Sequence, residues 1–397
     1  MARIWAGMDI GKEHHHCVVI DTDGRRLLSR RVPNDEAALL ELIGDVLAIS
    51  PEVLWAVDIN HGGASLLIAL LAAQGQVVAY LTGRVVRQAS GTYRGEGKTD
   101  AKDAFVIADQ ARMRRDLGLL RPGDEIAVDL RILTTRRSDL VADRTRQINR
   151  LRAQLLEIFP GLERAFDYST SKAALILLTG YQTPAAIRAA GVPGIQAWLR
   201  DRKARNAAAL ARTAVDAAHA QHTAVPGEKL GAEMVARLAG EVMGLDEQIA
   251  GINALIEARF RDHPLAEVII SLPGLGPVLG AEFIAATGGD MTAFSSADHL
   301  AAYAGLAPAP RDSGRIDGNL HRPRHYHRGL LRVFYLSSMI SIRGCPASRT
   351  YYDRKRAAGK THTQAVLALS RRRVNVLWAM IRDSQRYQDS PATAAAA

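Results

Sequence analysis

Four aspartates sit where a metal centre that handles phosphodiesters would need them. Asp9 closes a β-rich run, Ile4–Ile10, within Gly7-Met8-Asp9-Ile10-Gly11-Lys12, and Asp58 stands near the end of a buried β run, Val53–Ile59. Asp100 and Asp103, in Lys98-Thr99-Asp100-Ala101-Lys102-Asp103-Ala104, are three apart at the opening of a helix and so share one face. Carboxylates drawn to one spot repel each other, and Mg²⁺ or Mn²⁺, a hard cation with oxygen ligands, removes that repulsion. A metal pair so held polarises a phosphodiester and stabilises its attacking and leaving oxygens. Taken singly, an aspartate ending a strand is a common turn residue and Asp100 a common helix cap; the four together point to the metal site. The run His14-His15-His16 does not extend it, because alternation along a strand sends neighbouring side chains to opposite faces.

The elements that must position these carboxylates read as an α/β unit. After Ile4–Ile10 come His16–Asp21, a hairpin turn at Asp21-Thr22-Asp23-Gly24, and a third strand near Leu27–Val32. Asn34 can cap a helix from Asp35 to Ile49, with Leu39, Leu42, Ile43 and Val46 on one face. The strand Val53–Ile59, a helix over Ala64–Ala73 and a strand Gln76–Leu81 follow. The order β-β-β-α-β-α-β, opened by antiparallel hairpins, predicts a ribonuclease-H-like fold, since a doubly wound sheet would alternate strand and helix from the start. In that fold the first and fourth strands are neighbours, so Asp9 and Asp58 project toward one spot. Gly83 to Gly97 reads as a loop, with helix resuming near Ala101.

Beyond residue 115 the chain is mainly helical. Residues 126–158 and about 229–262 carry Leu and Ile near heptad spacing, which predicts an antiparallel hairpin or an intermolecular coiled coil. Between them, 165–228 reads as an Ala-rich helical insertion with no assignable chemistry. In the C-terminal block, Ser271-Leu272-Pro273-Gly274-Leu275-Gly276-Pro277-Val278 lies between two apolar helices. This is a helix-hairpin-helix pattern, in which Gly274 and Gly276 bring backbone N–H groups toward a phosphate; an ordinary helix-helix turn would use the same residues. The expected domains are a metal-binding 1–115, a connector 116–264, a C-terminal 265–387 and a disordered tail 388–397.

The net charge of +10 is unevenly spread. Residues 1–110 carry −3, residues 111–164 carry +4, residues 165–264 carry +1 and residues 265–397 carry +8. A polyanion would therefore meet the C-terminal third first, although arginine-rich helices also arise from GC-rich coding. Arg322, Arg324, Arg328 and Arg332 cluster with His325, Tyr326 and His327, and Arg371, Arg372 and Arg373 form a second run on the last helix. Both groups read as phosphate contacts, which supply affinity without sequence choice. Two cysteines, Cys17 and Cys345, are too few for a disulfide framework, and Met1–Ala6 leads straight into a strand without the features of a secretory leader. The most apolar stretch, Ala64 to Leu81, is broken by Gln74, Gly75 and Gln76. The expectation is a cytoplasmic protein with no membrane partner.

These residues resemble those of the DEDD-type insertion-sequence transposases, described as bridge-RNA-guided recombinases. The resemblance rests on Gly7–Lys12 and Lys98–Ala104 at the N-terminus. At the C-terminus it rests on Leu272-Pro273-Gly274-Leu275-Gly276-Pro277, Ala301-Ala302-Tyr303-Ala304-Gly305-Leu306-Ala307-Pro308 and Ser313-Gly314. It implies a RuvC-like metal domain, a coiled-coil connector and a C-terminal transposase domain that supplies a serine nucleophile. The metal ligands would be Asp9, Asp58, Asp100 and Asp103, with Asp58 one methylene shorter than the family's usual Glu. The nucleophile would be Ser313, in Arg311-Asp312-Ser313-Gly314-Arg315, where the two arginines can neutralise the phosphate under attack and Gly314 leaves room for a DNA backbone. A serine beside glycine is also a common turn composition. The resemblance further implies donor and target DNA, a noncoding guide RNA that supplies sequence choice, a dimer or tetramer, and a place at the bacterial nucleoid.

Three other readings stand beside this one. A RuvC-like nuclease would hydrolyse DNA with water and leave Ser313 idle. An actin-fold sugar kinase would use Asp9-Ile10-Gly11 as a phosphate loop, but it needs a second such loop, and residues 265–397 show no repeat of the strands. A non-enzymatic nucleic-acid-binding protein would have no use for four carboxylates.

Overall fold

The structure, a computed structural model, describes residues 3–388 except 60, 61, 82, 94–96, 98, 115, 116, 121–124, 290, 316 and 322. Lys98, Arg322 and the expected tail beyond Gln388 therefore lie outside the described residues. The chain divides into two compact units, Met1–Asp124 and Glu125–Ala397.

The first unit contains β1 (Ile4–Asp9), β2 (His14–Ile20), β3 (Arg26–Pro33), α1 (Glu36–Ile49), β4 (Val53–Val57), α2 (Ser65–Ala73), β5 (Val77–Tyr80), α3 (Gly83–Ser90), α4 (Asp100–Met113) and β6 (Gly118–Leu120). The sheet order is β3-β2-β1-β4-β5-β6. β1, β2 and β3 pair antiparallel, while β1, β4 and β5 run parallel. This is the ribonuclease-H-like arrangement expected from the element order, with β1 and β4 side by side. Side-chain parity sorts the two faces. Ile4, Ala6, Met8, Trp55 and Val57 form one core with Leu39, Leu42 and Ile43 of α1 and Leu67 and Leu71 of α2. Leu54, Ala56 and Ala79 pack with Val106 and Ile107 of α4 on the other face.

Three local readings change. Asn34 does not cap α1: Asp35 is the N-cap and accepts from the Ala38 amide at 2.9 Å. The span Gly83–Gly97 is not all loop, because α3 occupies Gly83–Ser90. A short β6 also pairs antiparallel with β5 at the sheet edge.

Gly7 sets how closely α4 lies on the sheet. A methyl group there would overlap the Ala104 carbonyl oxygen and the Ala108 amide, both backbone atoms of α4. Gly7→Ala will therefore push the helix that carries Asp100 and Asp103 off β1. It should cost about 1–3 kcal/mol of stability, the usual range for overpacking a tight contact. Chemical denaturation of wild type and variant checks this, and an unchanged midpoint would contradict it.

The second unit is helical around one small hairpin. Its elements are α5 (Glu125–Ile158), α6 (Pro160–Ala165), α7 (Lys172–Gly180), α8 (Pro184–Asp201, kinked at Gly191), α9 (Ala207–His219), α10 (Glu228–Arg261), α11 (Ala266–Ser271), α12 (Pro277–Thr287), α13 (Ala297–Tyr303), β7 (Ala309–Pro310), β8 (Leu320–His321), α14 (Arg328–Gly344), α15 (Pro346–Ala357) and α16 (His362–Arg382). α5 and α10 pair antiparallel within the chain. Their polar cross-links run in opposite directions along the two helices: Asp129 to Arg259 at 2.7 Å, Arg137 to Asn253 at 2.6 Å and Arg144 to Asp246 at 2.5 Å. α7, α8 and α9 pack at one end of this pair around Leu177, Ile187 and Leu210. α11 to α16 pack at the other around Ile269, Phe283, Phe334 and Leu377. Among the described residues no helix is long and apolar enough to cross a membrane.

Candidate active site

The carboxylate end of the first unit follows from strand parity. On β1, Trp5, Gly7 and Asp9 alternate away from the Ile4–Ala6–Met8 core, and Gly7 faces α4. On β4, Leu54 and Ala56 face the same way, and Asp58 continues their parity. Met8 pairs with Val57 in the parallel register, so the next residues along the two strands are Asp9 and Asp58. Thr99 caps α4 through the Lys102 amide at 3.2 Å, which places Asp100 and Asp103 in the helix's first turn.

Asp58 sits in a strongly desolvating environment. Burial holds its carboxyl above the usual carboxylate range; the Asp103 charge adds to the rise, and amide contacts including Ile10 oppose it. Its Oδ1 is buried and has no hydrogen-bond partner. An orphaned, desolvated carboxylate oxygen beside a second carboxylate is the donor set that a divalent cation fits. The imidazole of His16, the β2 residue paired with Asp9, is pushed down chiefly by burial, against the opposing charge of Asp100. Among the described residues no three His, Cys, Asp or Glu side chains gather closely enough to hold a metal ion. Of the four expected carboxylates, Asp58 and Asp103 are close enough for the Asp103 charge to act on Asp58.

Asn34, expected only as a helix cap, and Tyr80, which the sequence did not flag, support this corner. The Asn34 side chain donates to the carbonyls of Lys12 and Gly63, at 3.2 Å each, and so ties the loop after β1 to the segment after β4. Its backbone amide donates to the Glu13 carbonyl at 2.8 Å. Tyr80, at the end of β5, has its phenol pushed up by burial and then by the Asp58 charge. A polar aromatic closing the strand beside β4 was the available signal for it. Of the three histidines, His15 is buried and its imidazole pushed down by burial, while His14 and His16 are partly exposed, as alternation requires.

In the second unit Ser313 lies on the loop joining β7 to β8. Arg311 donates its amide to the Asn319 carbonyl at 2.9 Å, and Asn319 returns its amide to Asp312 Oδ1 at 2.9 Å and its side-chain amide to the Arg311 carbonyl at 3.2 Å. These bonds pin the base of the loop while Arg311, Ser313, Gly314 and Arg315 stay exposed. Arg324 and Arg328 are exposed as well, Arg328 as the first residue of α14.

The remaining phosphate contacts need correction. Arg332 is exposed but ion-paired with Glu282, which also faces Arg137 at 3.9 Å. Arg371 is ion-paired with Asp298. Arg372 is exposed and lies over the Tyr351 ring, 5.1 Å from its centroid. Arg373 is buried and donates to Pro273 O and Ser337 Oγ. Successive helix residues turn by about 100°, so the three consecutive arginines do not present one exposed patch.

Gly274 also departs from its expected role. At φ +85° it lies against α14, where a methyl group would overlap the Ser337 carbonyl oxygen and come within 3.0 Å of the Ser341 amide. It packs the turn onto a neighbouring helix, whereas Gly276, ahead of α12, is exposed with open space beside it. Gly274→Ala is therefore a stability variant, expected to cost about 2 kcal/mol or more from the left-handed backbone and the overlap together. Thermal unfolding of the free protein checks this; weaker DNA binding at unchanged stability would contradict it.

Comparison with known proteins agrees with this layout. Residues 6–160 match a transposase family described as DEDD and IS110, and residues 266–353 match the transposase IS116/IS110/IS902 family. The chain is 65% identical to a 42 kDa protein of insertion element IS900 from Mycobacterium paratuberculosis, covering 99% of each. It is 51% identical to a 44.8 kDa protein of insertion element IS116 from Streptomyces clavuligerus, covering 98% of this chain and 97% of that one. Among solved structures, T. thermophilus RuvC in complex with a Holliday junction substrate aligns with 30% of this chain and 99% of its own, at 17% identity and a TM-score of 0.25. On its full-length similarity to the insertion-element proteins, this chain belongs to the IS116/IS110/IS902 family of transposases, and its N-terminal part is of the DEDD type.

Proposed function

We propose that the protein cuts and rejoins DNA through a covalent phosphoserine formed at Ser313, with Mg²⁺ or Mn²⁺ held by Asp9, Asp58, Asp100 and Asp103. The observation that carries the metal half is the orphaned, buried Oδ1 of Asp58 beside the Asp103 charge. The bound ion would polarise the scissile phosphate and offset the charge on the departing oxygen. The serine half is supported by the exposure of Ser313 between two exposed arginines on a loop pinned at its base.

In this reading Arg311 and Arg315 hold the phosphate and spread its negative charge. The Ser313 hydroxyl adds to phosphorus as the bond to the 3′ oxygen breaks. The serine gives up its proton to solvent and the 3′ oxygen takes one up. The phosphodiester energy stays in the serine ester, so a 3′ hydroxyl can reverse the step without ATP. Residues 1–115 carry the metal chemistry, 265–387 the serine, and 116–264 the connection between them. The arginine contacts reach phosphates without reading bases, so sequence choice is assigned to a noncoding guide RNA. Paired donor and target ends call for a dimer or tetramer.

Plasmid recombination tests this in cells supplied with the element's own ends and flanking noncoding DNA. Wild type, Asp9→Ala and Ser313→Ala are compared. Both variants should be inactive. If Ser313→Ala still cuts while Asp9→Ala does not, the protein is a metal nuclease that uses water.

A further inference from the structure

Arg373 is an interior cation among the C-terminal helices. Only 4% of it is exposed. Its Nη2 donates to Pro273 O and to Ser337 Oγ, each at 2.5 Å, and its Nε is buried with no hydrogen-bond partner. Burial pushes the guanidinium down to about 10, so it keeps its charge at neutral pH. No ion pair to a carboxylate is found for it among the described residues. A buried charge with neutral partners alone is unfavourable unless an anion can reach it.

Arg373 forms part of the wall of a cleft of about 380 Å³ bounded by α15, α16 and the chain that follows α16. The same wall carries Arg372, Ser348 and Tyr351. The only acid lining it among the described residues is Asp383, which is held by Arg382 at 2.7 and 2.9 Å. The rim is fixed: the Tyr387 amide donates to Ser271 Oγ at 2.9 Å, and Arg386 pairs with Glu267 at 2.6 Å. Tyr351 gathers Arg354 and Lys355 as well as Arg372 about its ring, within 5.4 Å of its centroid, which adds positive potential at the mouth.

We infer that this cleft is a binding site for a single phosphate group, with Arg373 and Arg372 as its cations and the Ser348 and Tyr351 hydroxyls as its neutral partners. Guanidinium groups present paired donors that match phosphate oxygens. The volume suits a phosphate with part of a nucleoside attached and is too small for a duplex. The phosphate comes either from solution or from a nucleic-acid strand, and the site does not depend on Ser313 being the nucleophile.

The test uses the full-length protein and three probes: inorganic phosphate, a 5′-mononucleotide and a short single-stranded oligonucleotide. Each is titrated by calorimetry and followed by thermal unfolding against KCl of equal ionic strength. Two variants separate binding from folding. Arg373→Met removes the buried cation. Ala347→Trp fills the cleft from an exposed position on its wall and leaves the cation in place. Phosphate should raise the wild-type Tm beyond KCl, and each variant should bind it at least about tenfold more weakly, a loss of roughly 1.4 kcal/mol. A mononucleotide or oligonucleotide that binds tighter than phosphate, and loses that advantage in Ala347→Trp, makes the strand the source. Binding no tighter than phosphate makes solution the source. An equal rise in wild type and both variants, or no rise beyond KCl, overturns the site.

Discussion

Ser313→Ala should abolish strand joining and leave the protein bound to its DNA. Removing a nucleophile removes the covalent path outright, so the rate of adduct formation should fall by at least about 10⁴-fold. The other consequences should be small. Ser313 is exposed on the β7–β8 loop, whose base is held by Asp312, Arg311 and Asn319 instead. Stability should stay within about 0.5 kcal/mol, as for surface substitutions generally. One neutral hydroxyl among many charged phosphate contacts is worth about 1 kcal/mol at most, so DNA affinity should fall by no more than about fivefold. Adduct yield on denaturing gels and affinity by filter binding measure the two together. Cleavage retained in Ser313→Ala would assign the chemistry to water.

Asp58→Asn should differ from Ser313→Ala by changing stability as well as activity. Loss of one ligand from a charge-dense metal site should lower strand cleavage by at least about 10³-fold, comparable to removing an essential electrostatic group. Without metal, however, the variant should be the more stable protein. Burial holds the Asp58 carboxyl above its usual range, and Asp103 adds like-charge repulsion. A carboxyl whose pKa is raised on folding costs stability at neutral pH. That cost is relieved as pH falls through the raised value and is gone below the ordinary carboxylate range. In chelator at neutral pH, Asp58→Asn should therefore melt higher than wild type, by about 2–5 °C. The gap should close on acidification. Added Mg²⁺ should raise the wild-type Tm and leave the variant's in place. A lower Tm for the variant in chelator at neutral pH would contradict the desolvation account.

Much of the first unit was readable because two periodicities carry it. Strand parity through Ile4–Asp9 and Val53–Val57 set Asp9 and Asp58 on the sheet face opposite Ile4, Ala6, Met8, Trp55 and Val57, and the hairpin turn at Asp21–Gly24 fixed the antiparallel pairing of β2 with β3. Smaller features were hidden for definite reasons. Asn34 and Asp35 are both good caps, and only the distant Lys12 and Gly63 carbonyls draw Asn34 away from the helix. β6 has three residues and owes its strand geometry to β5, a partner far off in sequence. α3 opens on glycine amid basic residues, a composition that reads as loop.

The second unit shows a different limit. A run of arginines announces positive charge, but a helix distributes the run. The Arg371–Arg373 triplet became one ion pair, one exposed cation and one buried cation, and nothing local distinguishes the three. Gly274 likewise satisfied a nucleic-acid hairpin pattern while its conformation serves contact with α14. Glycine at a tight turn meets both needs with the same freedom at φ, so sequence cannot separate them.

The most direct test of the central claim is the identity of the residue joined to DNA. Full-length protein is incubated with the element's ends, RNA transcribed from the flanking noncoding DNA and Mg²⁺, the reaction is stopped in denaturant, and the DNA-linked peptide is sequenced by mass spectrometry. The account predicts a nucleotide ester on Ser313, absent when Mg²⁺ is chelated. Cut DNA with no linked peptide, or an ester on any other side chain, would contradict it.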